Sequence, residues 1–244
     1  MNGNVKYFVV LTAGRSGSNV LQELMKLNGF CDPNEWYNLE LFFNKEVIKK
    51  GITTEIYTRF LVENKSIGGM FCVKLMSNHL EAMIKYAEKS NFKTDADIVS
   101  YLFPGAKYVL LKRRDLYRQA ISVWRAYKTG EYIKRNDDET NKIPDAYDFG
   151  EILKSYNYVI RTNSVWETYI NENDIDILTV YYEDLVENVK DILKLIIYHA
   201  SGKDLNVENI KTRLSIYKQS DSISEVYLEK FIKDSKGLER YSNG

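Results

Sequence analysis

Val5-Lys6-Tyr7-Phe8-Val9-Val10-Leu11-Thr12-Ala13-Gly14-Arg15-Ser16-Gly17-Ser18-Asn19 is the stretch whose reading decides the fold. Val5 to Thr12 is a nearly continuous apolar run, the pattern of a parallel strand buried on both faces. Ala13 to Ser18 is small and glycine-containing, and Val20, Leu21, Leu24 and Met25 then follow at helical spacing. Strand, tight loop and helix in that order make an anion cradle, because the first amide N–H groups of a helix are unpaired and point outward. Gly14 and Gly17 permit the tight turn. Arg15 adds forked donors suited to phosphate, and Ser16, Ser18 and Asn19 add short ones. The plainer alternative is that Ser18 caps the helix and Arg15 faces solvent. The glycine spacing is too short for a Walker A loop and no Gly-Lys-Ser/Thr follows, which disfavours a nucleoside triphosphate with magnesium.

Working outward, Met70 to Met76, Lys107 to Lys112 and Ile177 to Tyr181 read as further strands. Helical spacing is expected over Leu39–Glu63, Asn78–Lys89, Asp95–Leu102, Phe149–Ile170 and Leu185–His199. Another helix runs from an Asp115 N-cap to Thr129. Glu131 to Asp145, with Asp137, Asp138 and Glu139, is polar and aperiodic and reads as a mobile surface loop. The alternation predicts one α/β, P-loop-like domain over residues 1–244, a central parallel sheet flanked by helices on both faces. The segment 206–244 stays an unassigned tail, although Val226, Tyr227, Lys230 and Phe231 have helical spacing. Ligands of such sheets bind beyond the carboxyl ends of the strands.

The 244 residues carry 34 Lys plus Arg and 34 Asp plus Glu, so no global field points to nucleic acid or an anionic membrane. The apolar run Tyr7 to Ala13 is too short for a signal peptide or a membrane span. Cys31 and Cys72 stand far apart, and with His79 and His199 they make no metal spacing. Two free thiols and a cytoplasmic protein are the expectation.

A second cationic segment follows the third strand. Lys112-Arg113-Arg114 precedes Asp115, with Ser122 on the following helix and Arg118 and Arg125 at other positions. A strand-end arginine and a serine one or two turns on can close on one phosphate. A solvated basic turn is the alternative. Paired with the first loop, this segment suggests a ligand with two separate anionic groups.

These residues resemble the sulfotransferase superfamily. In that family a loop of the Arg/Lys-Ser-Gly-Ser/Thr form holds a 5'-phosphosulfate, and a strand-end Arg with a Ser on the next helix holds a 3'-phosphate. Arg15-Ser16-Gly17-Ser18-Asn19 is similar to the first, and Arg113 with Ser122 to the second, with Arg114 as the alternative partner. The nearer likeness is to the bacterial trehalose and glycolipid branch. It is carried by Pro33-Asn34-Glu35-Trp36-Tyr37, by Val73 to Met76, by Arg118 to Ala126 and by Tyr182-Glu183-Asp184-Leu185. The likeness covers most of Val5 to Leu185 in order. Gly14 replaces the usual Gln or Pro and Asn19 a common Thr.

The resemblance implies transfer of a sulfuryl group from 3'-phosphoadenosine-5'-phosphosulfate to a hydroxyl acceptor, leaving adenosine 3',5'-bisphosphate, with no metal. It implies Arg15 at the leaving phosphate and Glu35 as the base, with His79 as runner-up. Trp36 and Tyr37 are then expected to desolvate Glu35, raise its pKa and offer a ring to a sugar; alternatively they are core aromatics beside a surface acid. Lys74 either touches the bridging oxygen or pairs with a carboxylate. Tyr182 either contacts adenine or packs at the strand end. The expected partner is a small-molecule, sugar or glycolipid acceptor, without nucleic acid or a transmembrane segment; a homodimer is allowed. The competing readings are a P-loop-like small-molecule kinase and a non-catalytic nucleotide-binding relative. Calorimetry is expected to show that the protein binds adenosine 3',5'-bisphosphate, and that Arg15→Ala and Arg113→Ala each weaken that binding strongly; a wild type that does not bind refutes the donor assignment.

Overall fold

The structure is a computed structural model that describes residues 5–88, 95–134, 146–215 and 221–242. Four parallel strands, β1 (Lys6–Thr12), β2 (Met70–Leu75), β3 (Lys107–Lys112) and β4 (Ile177–Tyr181), form one sheet in the order β2-β1-β3-β4. The register pairs Leu11 with Leu75, Thr12 with Leu111, and Lys112 with Tyr181. All four carboxyl ends therefore share one edge. The strand order reverses between β1 and β3, the place at which sheets of this kind bind their ligands.

The apolar run of β1 is buried on both faces, as its composition predicts. Phe8 and Val10 face Leu21 and Leu24 of α1 (Ser18–Leu27) and Leu193 and Ile196 of α8 (Val189–Ser201). Val9 and Leu11 face the opposite cluster. That cluster includes Tyr57 of α2 (Thr54–Lys65), Leu80 of α3 (Ser77–Lys85), Ile98 of α4 (Asp95–Leu102) and Trp166 of α6 (Phe149–Glu172). The expected single α/β architecture with helices on both faces is the one observed.

Three expectations change. The helical stretch 39–63 is two elements, a π-helix over Leu39–Ile48 and then α2, with Gly51 at φ 64 between them. The helix expected from Leu185 starts directly at the end of β4 as α7 (Tyr182–Glu187). It breaks at Asn188 (φ −123°, ψ 52°) before α8. Cys31 and Cys72 are not free thiols but a disulfide, with Cα atoms 5.9 Å apart. The loop after α1 folds back along β2, which linear spacing does not reveal. A cross-link across a separation of 41 residues stabilises by about 2–4 kcal/mol in a chain-entropy account. It also removes the free-thiol ground for a cytoplasmic protein; among the described residues no helix is long and apolar enough to cross a membrane.

Most of the expected 131–145 loop, from 135 on, lies outside the described residues. The tail becomes α9 (Ser222–Ser242), which packs Leu228 and Phe231 on Ile121 and Trp124 of α5 (Leu116–Thr129) and Ile152 of α6. Arg125 makes a two-pronged pair with Asp221, Nη1 to Oδ1 at 2.9 Å and Nη2 to Oδ2 at 3.0 Å, and also donates to Ser224 Oγ. Arg118 donates to Glu225 and, at 3.2 Å, to Asp115. The Arg125 side chain is 9 % exposed and Asp221 22 %, so breaking the pair strands a largely desolvated charge. Arg125→Ala is expected to lower unfolding free energy by about 2 kcal/mol, below the fully buried case, read as a lower urea midpoint at unchanged slope.

Candidate active site

The loop after β1 is anchored from three directions. The Thr12 carbonyl accepts Trp166 Nε1–H at 2.9 Å, and the Thr12 hydroxyl donates to the Leu111 carbonyl at 3.2 Å. The Gly14 carbonyl accepts Gln119 Nε2–H at 2.7 Å. Ser16 is fully buried, and its hydroxyl is spent on that of Thr12 rather than turned outward. Ser18 is 7 % exposed at the start of α1. Arg15 sits at φ 63, a left-handed conformation that costs a non-glycine residue about 1–3 kcal/mol and is held only by surrounding structure. Gly17, at φ 88, is the N-cap of α1 and makes no side-chain cap hydrogen bond. The Val20 and Leu21 N–H groups donate to the Gly17 carbonyl at 2.9 and 3.2 Å, so the amides at the start of α1 that can meet an anion are those of Ser18 and Asn19.

Two guanidinium groups meet at this loop. Arg15 Nε donates to Ser122 Oγ at 2.9 Å and Arg15 Nη1 donates to the Tyr132 carbonyl. Arg113 Nη1 reaches the Arg15 carbonyl at 3.4 Å. Burial first, and then the neighbouring Arg113, push the Arg15 pKa down to about 10. Arg113 is likewise lowered, by burial. Its guanidinium lies 5.0 Å from the Tyr182 ring centroid, and Glu183 is 3.7 Å from its Nε. That Nε is buried and has no hydrogen-bond acceptor. Crowded like charges, a buried orphan donor and a helix start without a cap fit a multiply charged anion. Arg114 turns away: it pairs with Asp184 at 2.6 and 2.7 Å and stacks on Tyr181 at 4.1 Å. Of the two alternatives at the strand exit, Arg113 is the one beside Arg15. Ser122, expected with Arg113, is bonded to Arg15 instead.

The second half of the site is built on β2. Lys74 is 1 % exposed. Its Nζ lies 2.8 Å from Asn19 Oδ1 and 3.0 Å from Glu35 Oε1. Burial pushes the Glu35 carboxyl up, but the Lys74 ammonium and the Asn38 amide, bonded at 3.0 Å, outweigh it and hold the carboxyl below the usual range. The aromatic neighbours therefore do not raise Glu35. Tyr37 is fully buried against Phe43, Tyr57 and Phe103, and Trp36 is 8 % exposed against Phe42, so neither presents a face to a sugar. His79 Nδ1 accepts the Met76 N–H at 3.3 Å, which places the proton of the neutral ring on Nε2. Burial pushes the His79 pKa down to about 4. Its Nε2–H is buried and has no acceptor among the described residues. His79 is thus a donor here, and Glu35 is the side chain with a charge to accept a proton.

Residues 7–234 match the Stf0 sulphotransferase family. The chain belongs to that family. A trehalose 2-sulfotransferase of Mycolicibacterium smegmatis is 21% identical over 266 residues, covering 97% of this chain and 98% of that one. Two crystal structures of retinol dehydratase, with androsterone and inactive cofactor PAP and with retinol and PAP, align at TM-scores of 0.43 and 0.44. Their identities are 15% and 16%; 96% of this chain is covered in each case, and 81% and 82% of theirs. The fold assignment stands on the strand order and register above. As a member of the Stf0 family the protein is a sulfotransferase.

Within this sulfotransferase, three side chains that hold the site were given no role on sequence grounds: Gln119, Trp166 and Glu183. Gln119 sits in the Arg118 to Ala126 run, one turn before Ser122, and that spacing is the one signal that it faces the same loop. Tyr182, a strand-end aromatic on sequence grounds, packs its ring over Gly17 so closely that a Cβ there would stand 2.1 Å from Cδ2. Gly17→Ala is expected to lose about 1–3 kcal/mol of stability from the left-handed backbone alone, and more from the contact. Adding Tyr182→Ala should return only the contact part, which thermal unfolding of the double variant measures.

Proposed function

We propose that this sulfotransferase uses 3'-phosphoadenosine-5'-phosphosulfate as donor and a carbohydrate hydroxyl as acceptor, with Glu35 as the base. One observation carries the reading: the Lys74 ammonium touches Asn19 of the anion loop on one side and Glu35 on the other. A single buried side chain thereby joins the donor half of the site to the acceptor half. The donor nucleotide supplies the sulfuryl group. Arg15, Arg113 and the first amides of α1 stabilise the charge that develops on the leaving phosphate. Tyr182 lends ring surface beside Gly17. Glu35 receives the acceptor hydroxyl proton as its oxygen attacks, and Lys74 keeps that carboxylate ionised. The carbohydrate acceptor is supported by the trehalose-acting relative and is inferred by analogy. A non-catalytic role would favour a solvent-facing Glu35, whereas its side chain is 16% exposed and paired.

Glu35→Gln is expected to retain binding of adenosine 3',5'-bisphosphate in calorimetry and to lose turnover by roughly 10²- to 10⁴-fold, measured with labelled sulfate on a sugar, lipid and phenol panel. Full activity would remove Glu35 from the base role. Because the active form is the carboxylate and its pKa is lowered, turnover should persist below the ordinary glutamate range. Lys74→Met removes the ammonium and leaves the Asn38 amide to oppose burial without it, so the acid limb of kcat should move to higher pH.

A further inference from the structure

We propose that the Cys31–Cys72 disulfide is a positioning clamp for the Glu35 loop, so that turnover, and not only stability, depends on the oxidised pair. The proposal rests on the reading of Glu35 as the base. β2 is an edge strand, and its outer side is covered by the loop that follows α1. Cys72 and Lys74 are two residues apart on β2, so both project from the same face. Cys72 packs in the apolar cluster with α1, and Lys74 reaches Asn19 of that helix. The loop is fixed to those two side chains in sequence. Cys31 is bonded to Cys72. Asn34 then pairs in parallel with Val73, its carbonyl accepting the Lys74 N–H at 3.0 Å. Glu35 then meets Lys74 Nζ at 3.0 Å. The covalent and ionic fastenings stand about 6.6 Å apart along the strand, two residues at the usual rise. Cys31 and Cys72 are 0 % and 2 % exposed, so their place is set by packing as well as by the bond. Asp32, bonded to Gln22 at 2.7 Å, and the buried Trp36 and Tyr37 hold the segment on either side of Glu35, and the disulfide is its covalent fastening. Without the covalent end, the N-terminal side of the loop is held by Asp32 and Asn34, and the carboxylate by Asn38, the buried Trp36 and Tyr37 and an ion pair whose partner also serves Asn19.

The test uses the full chain purified without reductant. Thiol titration should find no free thiol in the native enzyme or after unfolding. Cys31→Ala/Cys72→Ala should bind adenosine 3',5'-bisphosphate within about twofold of wild type while kcat falls roughly 10- to 100-fold, the scale of a misplaced catalytic group. The acid limb of kcat should move to higher pH as the carboxylate leaves its ammonium. If the double variant does not fold, the wild type reduced with dithiothreitol is the second arm: two electrons and two protons convert the disulfide to two thiols, and activity should fall and return on reoxidation. Two free thiols in the native enzyme, or unchanged kcat and pH profile in the folded variant or the reduced enzyme, would overturn the clamp. An active Glu35→Gln would instead overturn the base assignment, and its inactivity beside an unaffected cysteine variant would condemn the clamp alone.

Discussion

A buried ammonium cannot stand alone, and the Lys74 side chain organises much of the site through that requirement. Its burial lowers its own pKa, an effect the Glu35 carboxylate partly offsets. Asn19 and Glu35 supply its close oxygen partners, and Gln22 Oε1 stands further off at 3.5 Å. Those residues come from the first turns of α1 and from the loop that follows it, so satisfying one charge sets the position of helix, loop and strand together. Glu35 is ionised as a consequence, not by solvation but by its fixed neighbour. A carboxylate prepared in this way is a weaker proton acceptor than a desolvated one, and it stays ionised over a wider range of pH.

The cations at the exit of β3 divide their work by partner. Arg114 is matched by Asp184 at the surface, Arg118 by Asp115 and Glu225, and Arg125 by Asp221. Arg113 has Glu183 only at 3.7 Å and faces Arg15 across a backbone carbonyl. Positive potential is concentrated at that place because the other arginines are neutralised locally. The basic run is therefore neither a uniform patch nor a solvated turn.

The fold was legible from short-range pattern. The double-sided apolar run of β1, the small loop behind it and the Asp115 cap each depend on residues a few positions apart, and each is where it was expected. Of the candidate site, the meeting of Arg15 and Arg113 was legible, because both stand at strand exits on the same edge of the sheet. What failed depended on contacts between distant segments. The disulfide needs the path of the loop along β2. The bond from Arg15 to Ser122 needs the angle of α5 to the sheet. The direction of the Glu35 shift needs Lys74, which is remote in sequence, to outweigh the aromatic burial visible next to it. For Trp36 and Tyr37 the alternative of core aromatics is the one observed, and the sequence left both open because an aromatic beside an acid reads the same whether its ring faces a ligand or the core.

The order in which the chain emerges has a consequence for α9. Its Leu228 and Phe231 cover Trp124 and Ile121, and its acids hold Arg118 and Arg125, all on the helix that delivers Gln119 and Ser122 to the anion loop. Every other described element precedes it during synthesis. Until α9 docks, Trp124 and Ile121 lack their cover and Arg118 is held by Asp115 alone of its two acids. The placing of Gln119 and Ser122 at the anion loop is thereby coupled to a helix about a hundred residues further along the chain.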